Sequence, residues 1–516
     1  MGTKIEWVKT AVQLCMASFE TENEKRRQFI ELESQYYAYS PQIQREIMVL
    51  MKEGFEINDL IYVFSVLIRY TEGKEFRRNL MDCLIMSDFD CDTRAMLEYQ
   101  AMSFVVGEYK RKRIFRRKNI EKFSQKLSEM EYPFLPPQKR NKKRIVIIAG
   151  QIVNLRHAPT KMILNIAYTL QEYLGYEVFF YICPCDCWEV DQALWYGLLD
   201  EITIDHFRDK MAAIAYQDTV FKGFQINMGE LRWKEYGMML SFIHAWNPLF
   251  VLNCGTINPI VELIGTYTTL VSMRMSVECP ISEGEILIRL GKEDDATEKG
   301  YEDMLGKNQV QLFMKEKFPV IDESGVKSFT RQQLNLPDGQ FLITIVGNSL
   351  QKEITKSFVL EMKRILETIP NASFVIIGKS DGITEYFTDG IFKERIFYLG
   401  YCDHLVGVYG ALDLYLNLDR KGGGFSSAMA LIAEIPVVTL PDCDVAYNCG
   451  EAFIVRDYDD MFHTVCRYAM EPEFYEAKRR CAQAYKEQNT QKKLNCFVTE
   501  MLDGIIGIIE QHKEQE

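Results

Sequence analysis

Nowhere does this chain approach the roughly 18 consecutive apolar residues that cross a bilayer, so no transmembrane helix is expected. The opening segment MGTKIEWVKT lacks the apolar stretch of an export signal, and Glu6 stands where a myristoylation signal has Ser or Thr. Without an export signal, the 14 cysteines read as reduced, mostly buried thiols of a cytoplasmic protein. Cys183, Cys185 and Cys187 (CPCDC) lie too close together for a zinc knuckle and have no histidine nearby, so no metal site is assigned. An excess of basic charge is also missing. With 60 Lys+Arg against 73 Asp+Glu, the net charge of −13 argues against nucleic acid as the partner. What remains is an ordinary globular composition, 47% hydrophobic and 26% charged, in 516 residues, enough for two to four domains.

Residues 1 to 135 are rich in Glu, Lys, Arg, Leu and Met and poor in Pro and Gly, which predicts helices. Ile57, Leu60, Ile61, Phe64, Leu67 and Ile68, for example, repeat at helical spacing. Two basic runs stand out, KRKRIFRRK at 110–118 and KRNKKR at 139–144. Such runs read as solvated faces or linkers, and the sharper alternative is a surface attracted to an anionic partner or membrane.

The pattern changes at Arg144. RIVIIAG (144–150) is a continuous apolar run ending in glycine, as in a buried parallel strand, and EVFFYIC (177–183) follows after a helical stripe over 161–174. Further strands are expected at 250–253 and 269–273. The alternation then restarts with FLITIVG (341–347), SFVIIG (373–378), IFYLGY (396–401), DLYLNL (413–418) and PVVTL (436–440). The expected architecture is α/β: a helical domain (1–140), then two Rossmann-like domains (141–326 and 327–490) facing a cleft. A polar stretch near 290–330 is expected to join them, and a final helix (491–516) to pack back on the first.

Three loops at strand ends are candidates for chemistry. In KGGGFSSAMALIA (421–433), Gly422, Gly423 and Gly424 would let backbone amides approach a ligand where a helix begins, a place suited to phosphate. Phe425, Ser426 and Ser427 follow, the serines as hydroxyl donors or helix caps; the Lys-Ser/Thr ending of a P-loop is absent. In GNSLQK, Gly347 and Asn348 end a strand and Lys352 offers a point charge for a diphosphate. In NLRHAPTK (154–161), His157 is one of only six histidines and could take a proton from an acceptor group.

Together these segments resemble nucleotide-sugar glycosyltransferases of the two-Rossmann GT-B type, over residues 144–510 and most clearly over 341–460. The look is nearest to O-GlcNAc-transferase-like and bacterial N-glucosyltransferase-like enzymes, which also carry a helical N-terminal domain and a His-Pro-Thr loop similar to His157-Ala158-Pro159-Thr160. The resemblance places Gly423, Gly424, Phe425 and Ser426 on a diphosphate turn and His157 near the acceptor. It implies a metal-independent, cofactor-free transfer of sugar from a UDP-linked donor to a polypeptide. Registered on Pro436, the paired carboxylates of many relatives fall on Lys421 and Met429, so either another group, such as Glu434 or Asp444, meets the ribose or nucleotide binding is weakened. The arginine that often follows the glycine of the 347 motif is replaced by Asn348. Two alternatives stand beside this reading: a non-catalytic subunit that binds acceptor protein or a catalytic partner, and a peripheral enzyme of envelope glycans.

Overall fold

The computed structural model describes residues 2–19, 22–127, 132–153, 157–184, 194–195, 210–226, 231–255, 257–321, 328–348, 350–379, 383–402, 404–420 and 422–513. The N-terminal part is all-helical: α1 (Gly2–Met16), α2 (Glu22–Ala38), α3 (Pro41–Gly54), α4 (Ile57–Tyr70), α5 (Lys74–Met86), α6 (Cys91–Phe104) and α7 (Tyr109–Lys126). Starts are set locally, as where Asp90 accepts the Asp92 and Thr93 amides ahead of α6. The apolar stripes close on one core around Trp7, Phe29, Phe64 and Phe76. Trp195, from far along the chain, is buried in that same core, with its ring 6.3 Å from that of Phe104.

The first α/β unit runs β1 (Asn141–Ala149), α8 (Ala158–Tyr168), β2 (Glu177–Ile182), β3 (Lys210–Tyr216), β4 (Thr219–Gln225), α9 (Trp233–Trp246), β5 (Pro248–Cys254), β6 (Leu270–Met273), β7 (Ile286–Arg289), α10 (Asp295–Met304) and β8 (Val310–Phe313). Its strand order is β3-β4-β2-β1-β5-β6-β7-β8, with parallel pairing except in the β3–β4 hairpin. The stretch near 290–330 is therefore not simply a polar joint. Its α10 and β8 extend the first sheet, and β7–β8 pairing runs from Ile286↔Val310 to Arg289↔Phe313.

The second unit runs β9 (Phe341–Gly347), α11 (Leu350–Glu353), α12 (Lys356–Thr368), β10 (Ala372–Gly378), β11 (Ile396–Gly400), α13 (Leu405–Tyr409), β12 (Leu414–Leu416), α14 (Gly424–Ile432), β13 (Val437–Val438), α15 (Asp444–Cys449), α16 (Tyr458–Met470) and α17 (Pro472–Gln488). Its all-parallel order is β11-β10-β9-β12-β13. The chain then returns: α18 (Gln491–Lys513) sinks Leu494, Phe497, Val498, Met501 and Ile505 into the core of the first α/β unit. Each such side chain contributes roughly 2 kcal/mol of apolar burial.

The basic runs are only partly the solvated faces expected: Lys110, Arg117, Lys118, Lys139, Lys142 and Lys143 are exposed, but the remaining basic residues are not. Within 110–118, Lys112, Arg113 and Arg116 are buried on α7 where it meets the first α/β unit. Arg116 pairs with Glu98 (2.6 Å) and Glu262 (3.1 Å), and Arg113 and Arg117 share Glu283 at 2.6 and 3.0 Å. In the second run, buried Arg140 donates to the Leu135 and Leu249 carbonyls, and Arg144 at the foot of β1 pairs with Glu177. The buried arginines are thus consumed inside the protein, which leaves a smaller set of exposed lysines for a membrane-facing or anion-facing surface.

Candidate functional site

In each sheet, the order reverses beside the first strand of its unit. In the second, the chain goes from β9 outward to β10 and β11, then returns to β12 on β9's other side. The loops leaving β9 and β12 therefore diverge at their carboxyl ends and leave a crevice between them, where open α/β sheets take ligands. Gly347 and Asn348 lie on one lip, and Gly423 and the start of α14 on the other.

Two glycines make this crevice possible. Gly423 caps α14 at φ +101°, a left-handed conformation, and a Cβ there would meet the Arg420 guanidinium at 2.8 Å. Gly378 ends β10 at φ +122°, and a Cβ there would lie 1.9 Å from the Gly347 carbonyl oxygen. The space at Gly347 and Gly423 is filled by Arg420, which the sequence reading passed over by opening the turn one residue later. Its guanidinium donates to Glu353 (2.6 Å), the Val346 carbonyl (2.6 Å), Asn417 (3.1 Å) and the Tyr415 hydroxyl (3.2 Å). Four contacts tie the β9 and β12 loops together and hold a guanidinium at the crevice, paired with one carboxylate.

The first α/β unit supplies the facing wall. His157 precedes α8, with Pro159 in its first turn, and lines a cleft of about 1300 Å³ together with Gly347, Asn348, Gly423, Gly424, Phe425, Ser426 and Asp444. Burial pushes the His157 imidazole below its ordinary value, so the ring is neutral at pH 7. The walls touch lightly: the Lys161 ammonium sits 5.8 Å from the centre of the Phe425 ring, and the Tyr447 hydroxyl donates to the Leu290 carbonyl.

Other expected residues are placed differently. Ser427 is fully buried and its hydroxyl donates back to the Gly424 carbonyl, while Gly422 is exposed beside the cleft. The α14 cap is Gly423 with no side-chain acceptor; Ser426 instead donates to the Gly423 carbonyl (2.8 Å) and meets the Tyr415 hydroxyl (3.0 Å). Lys352 belongs to α11, and its side chain lies outside the described residues, as do Arg156, Lys421, Cys185 and Cys187. Cys183 is buried against Met239, and among the described residues no three His, Cys, Asp or Glu side chains gather as a metal site. Met429, at the position of the usual carboxylate, is buried among apolar residues that include Leu405 and Val408, at the cleft wall. Glu434 is no substitute: it sits past the far end of α14, paired with Lys486 at 2.9 Å and Arg479 at 3.7 Å. Of the two acids considered for a ribose contact, Asp444 alone lines the cleft.

No protein-family model matches the chain, and no curated protein matches it by sequence. By structure it is similar to a mutant O-GlcNAc transferase from Thermobaculum terrenum, with a TM-score of 0.53 and 11% identity over 99% of each chain. It is also similar to the apo form of OtsA, with a TM-score of 0.50 and 10% identity over 70% of this chain and 98% of that one. The chain has the GT-B fold, preceded by an all-helical region. No described helix is long and apolar enough to cross a membrane.

Proposed function

We propose that the protein is a metal-independent glycosyltransferase that takes a sugar from a UDP-linked donor and passes it to a polypeptide. The observation that carries this is the convergence of Gly347, the Gly423-capped start of α14 and Arg420 at the switch point of the second sheet, across the cleft from His157. Backbone amides at a helix start and a guanidinium can hold a diphosphate and stabilise it as it leaves. The groups offered to the diphosphate are these amides and the guanidinium, and the reading assigns the reaction no metal. Displacement at the anomeric carbon would break the bond to the diphosphate and form one to the acceptor, with His157 on the wall nearest the reacting groups. Twelve cysteines among the described residues stand outside any disulfide, which fits a reducing compartment such as the cytoplasm. The polypeptide acceptor is supported by the full-length likeness to an O-GlcNAc transferase.

Titration with UDP and GDP in a calorimeter tests the reading, followed by assay of UDP-sugar hydrolysis. Failure of every nucleotide to bind at millimolar concentration would refute it. Met429 favours a second reading, a non-catalytic subunit that binds an acceptor or a catalytic partner, because a buried thioether gives a ribose hydroxyl no useful acceptor. Nucleotide binding without turnover would select that reading.

A further inference from the structure

Among the described residues, His157 is tied down at one ring nitrogen. Its Nδ1 lies 2.9 Å from the Thr160 hydroxyl oxygen, one turn into α8. That oxygen already accepts the Val153 amide at 3.1 Å, and Thr160 is fully buried. The bookkeeping of one proton then decides the ring. If Nδ1 carried the proton, Thr160 would accept two hydrogen bonds, and its own hydroxyl proton would have no acceptor among the described residues. Leaving a buried donor unpaired disfavours that arrangement on the order of tenfold to a hundredfold. If the hydroxyl donates to Nδ1, each group is satisfied, and the proton of the neutral ring resides on Nε2. Nε2 is the nitrogen left for the cleft that His157 lines.

We infer that Thr160 is a positioning residue that fixes His157 as the Nε2–H tautomer, so that His157 offers the cleft a hydrogen-bond donor rather than a base. Its partner is an acceptor oxygen of the bound nucleoside diphosphate. This rests on the glycosyltransferase reading for the ligand, but not for the tautomer. It revises the expectation that His157 removes the acceptor's proton: a nitrogen that already carries a proton cannot accept another without charging a ring that burial keeps neutral.

The test uses the full chain labelled with ¹⁵N-histidine, the His157 signals being assigned by their loss in His157→Gln. The ligand-free protein should show a pyridine-type Nδ1 and a pyrrole-type Nε2. Thr160→Ser should preserve that pattern, and Thr160→Val should mix the tautomers. A pyrrole-type Nδ1 in the wild type, or an unchanged pattern in Thr160→Val, would overturn the assignment. Saturating UDP should shift the Nε2–H signal, and a silent signal while UDP binds would overturn the donor role. His157→Gln keeps an N–H at similar reach and should hold UDP affinity within about threefold, whereas His157→Leu should lose about tenfold or more. Equal losses in the two variants would also overturn the donor role. Absence of any UDP binding by the wild type would instead refute the glycosyltransferase reading and leave the tautomer standing.

Discussion

Arg420→Met puts the crevice to its hardest test, because that guanidinium has two separable jobs. As a tie it makes four contacts, two of them at 2.6 Å, to Glu353 and the Val346 carbonyl. Truncation would leave Glu353 without its partner, but that side chain is 26% exposed, so water can take over part of the role. The stability loss should therefore fall near 2 kcal/mol rather than the ~3–5 kcal/mol of a fully buried broken pair. As a cation facing a diphosphate it makes a charged contact worth about 1.5–3 kcal/mol, so UDP should bind roughly 10- to 150-fold more weakly.

Glu353→Gln separates the two jobs. An amide oxygen can still accept from Arg420, which keeps the tie, while the negative charge at the crevice disappears. A unit charge roughly 6 Å from a phosphate is worth about 1 kcal/mol in well-solvated surroundings, so UDP should bind as tightly as to the wild type or about fivefold tighter. Calorimetric titration of UDP at fixed ionic strength, with thermal unfolding run in parallel, reads both effects. The reasoning is refuted if folded Arg420→Met binds UDP like the wild type. It is refuted equally if Glu353→Gln weakens binding as much as Arg420→Met does.

Gly423→Ala should cost at least tenfold in UDP affinity with a smaller effect on unfolding, since its Cβ would press on Arg420 from a left-handed backbone; wild-type affinity in a calorimetric titration would remove the turn from the site. Arg116→Met should destabilise by about 3–5 kcal/mol in urea unfolding, because it strands the buried Glu98 and Glu262 carboxylates. Lys112 gives a pH signature: burial, with Arg274 next in importance and Arg116 also contributing, pushes its ammonium down to about 7, against the pull of Glu278 and Glu108. From pH 7 to about 10 the unfolded chain would hold a proton that the folded one lacks, so this residue makes stability rise with pH. Lys112→Met should then raise stability at pH 7 by at most about 4 kcal/mol, a gain fading towards pH 10; an equal gain at both ends of the range would contradict the sign.

Those features of the fold that depend on continuous apolar runs were legible in the residues. FLITIVG and SFVIIG became β9 and β10 because strands covered on both faces need apolar side chains at nearly every position. The β3–β4 hairpin was missed since its strands carry Lys210 and Lys222 and lie at the sheet's edge. β7 was missed because it is four residues long and ends in Arg289, buried against Glu298 at 2.6 Å, so a charge sits where the pattern calls for an apolar residue. At the site, the glycine turn was visible as backbone chemistry. Arg420 was not, because its role depends on β12 lying beside β9, some 70 residues earlier, a fact of topology rather than of local spacing. The buried half of the 110–118 run was missed for the same reason: its acids, Glu98, Glu262 and Glu283, are scattered along the chain.

The buried half of that run also bears on which contacts are costliest to break. Between the helical region and the first α/β unit lie the buried Arg113 and Arg116 pairs, and Trp195 inserted into the helical core. Separating these surfaces would strand buried charges and expose an indole, each a cost of several kcal/mol. Across the cleft the described polar links are weaker: one tyrosine hydroxyl on a carbonyl, and one ammonium near a phenyl ring. The chain crosses between the two α/β units near residues 314–340 and again near 489–491, where the Val320 amide donates to Asn489 at 2.8 Å. The contacts between the helical region and the first unit are thus the costlier ones to break, so denaturant should separate the second unit before it parts those two, and the reverse order in native-state hydrogen exchange would contradict this ranking.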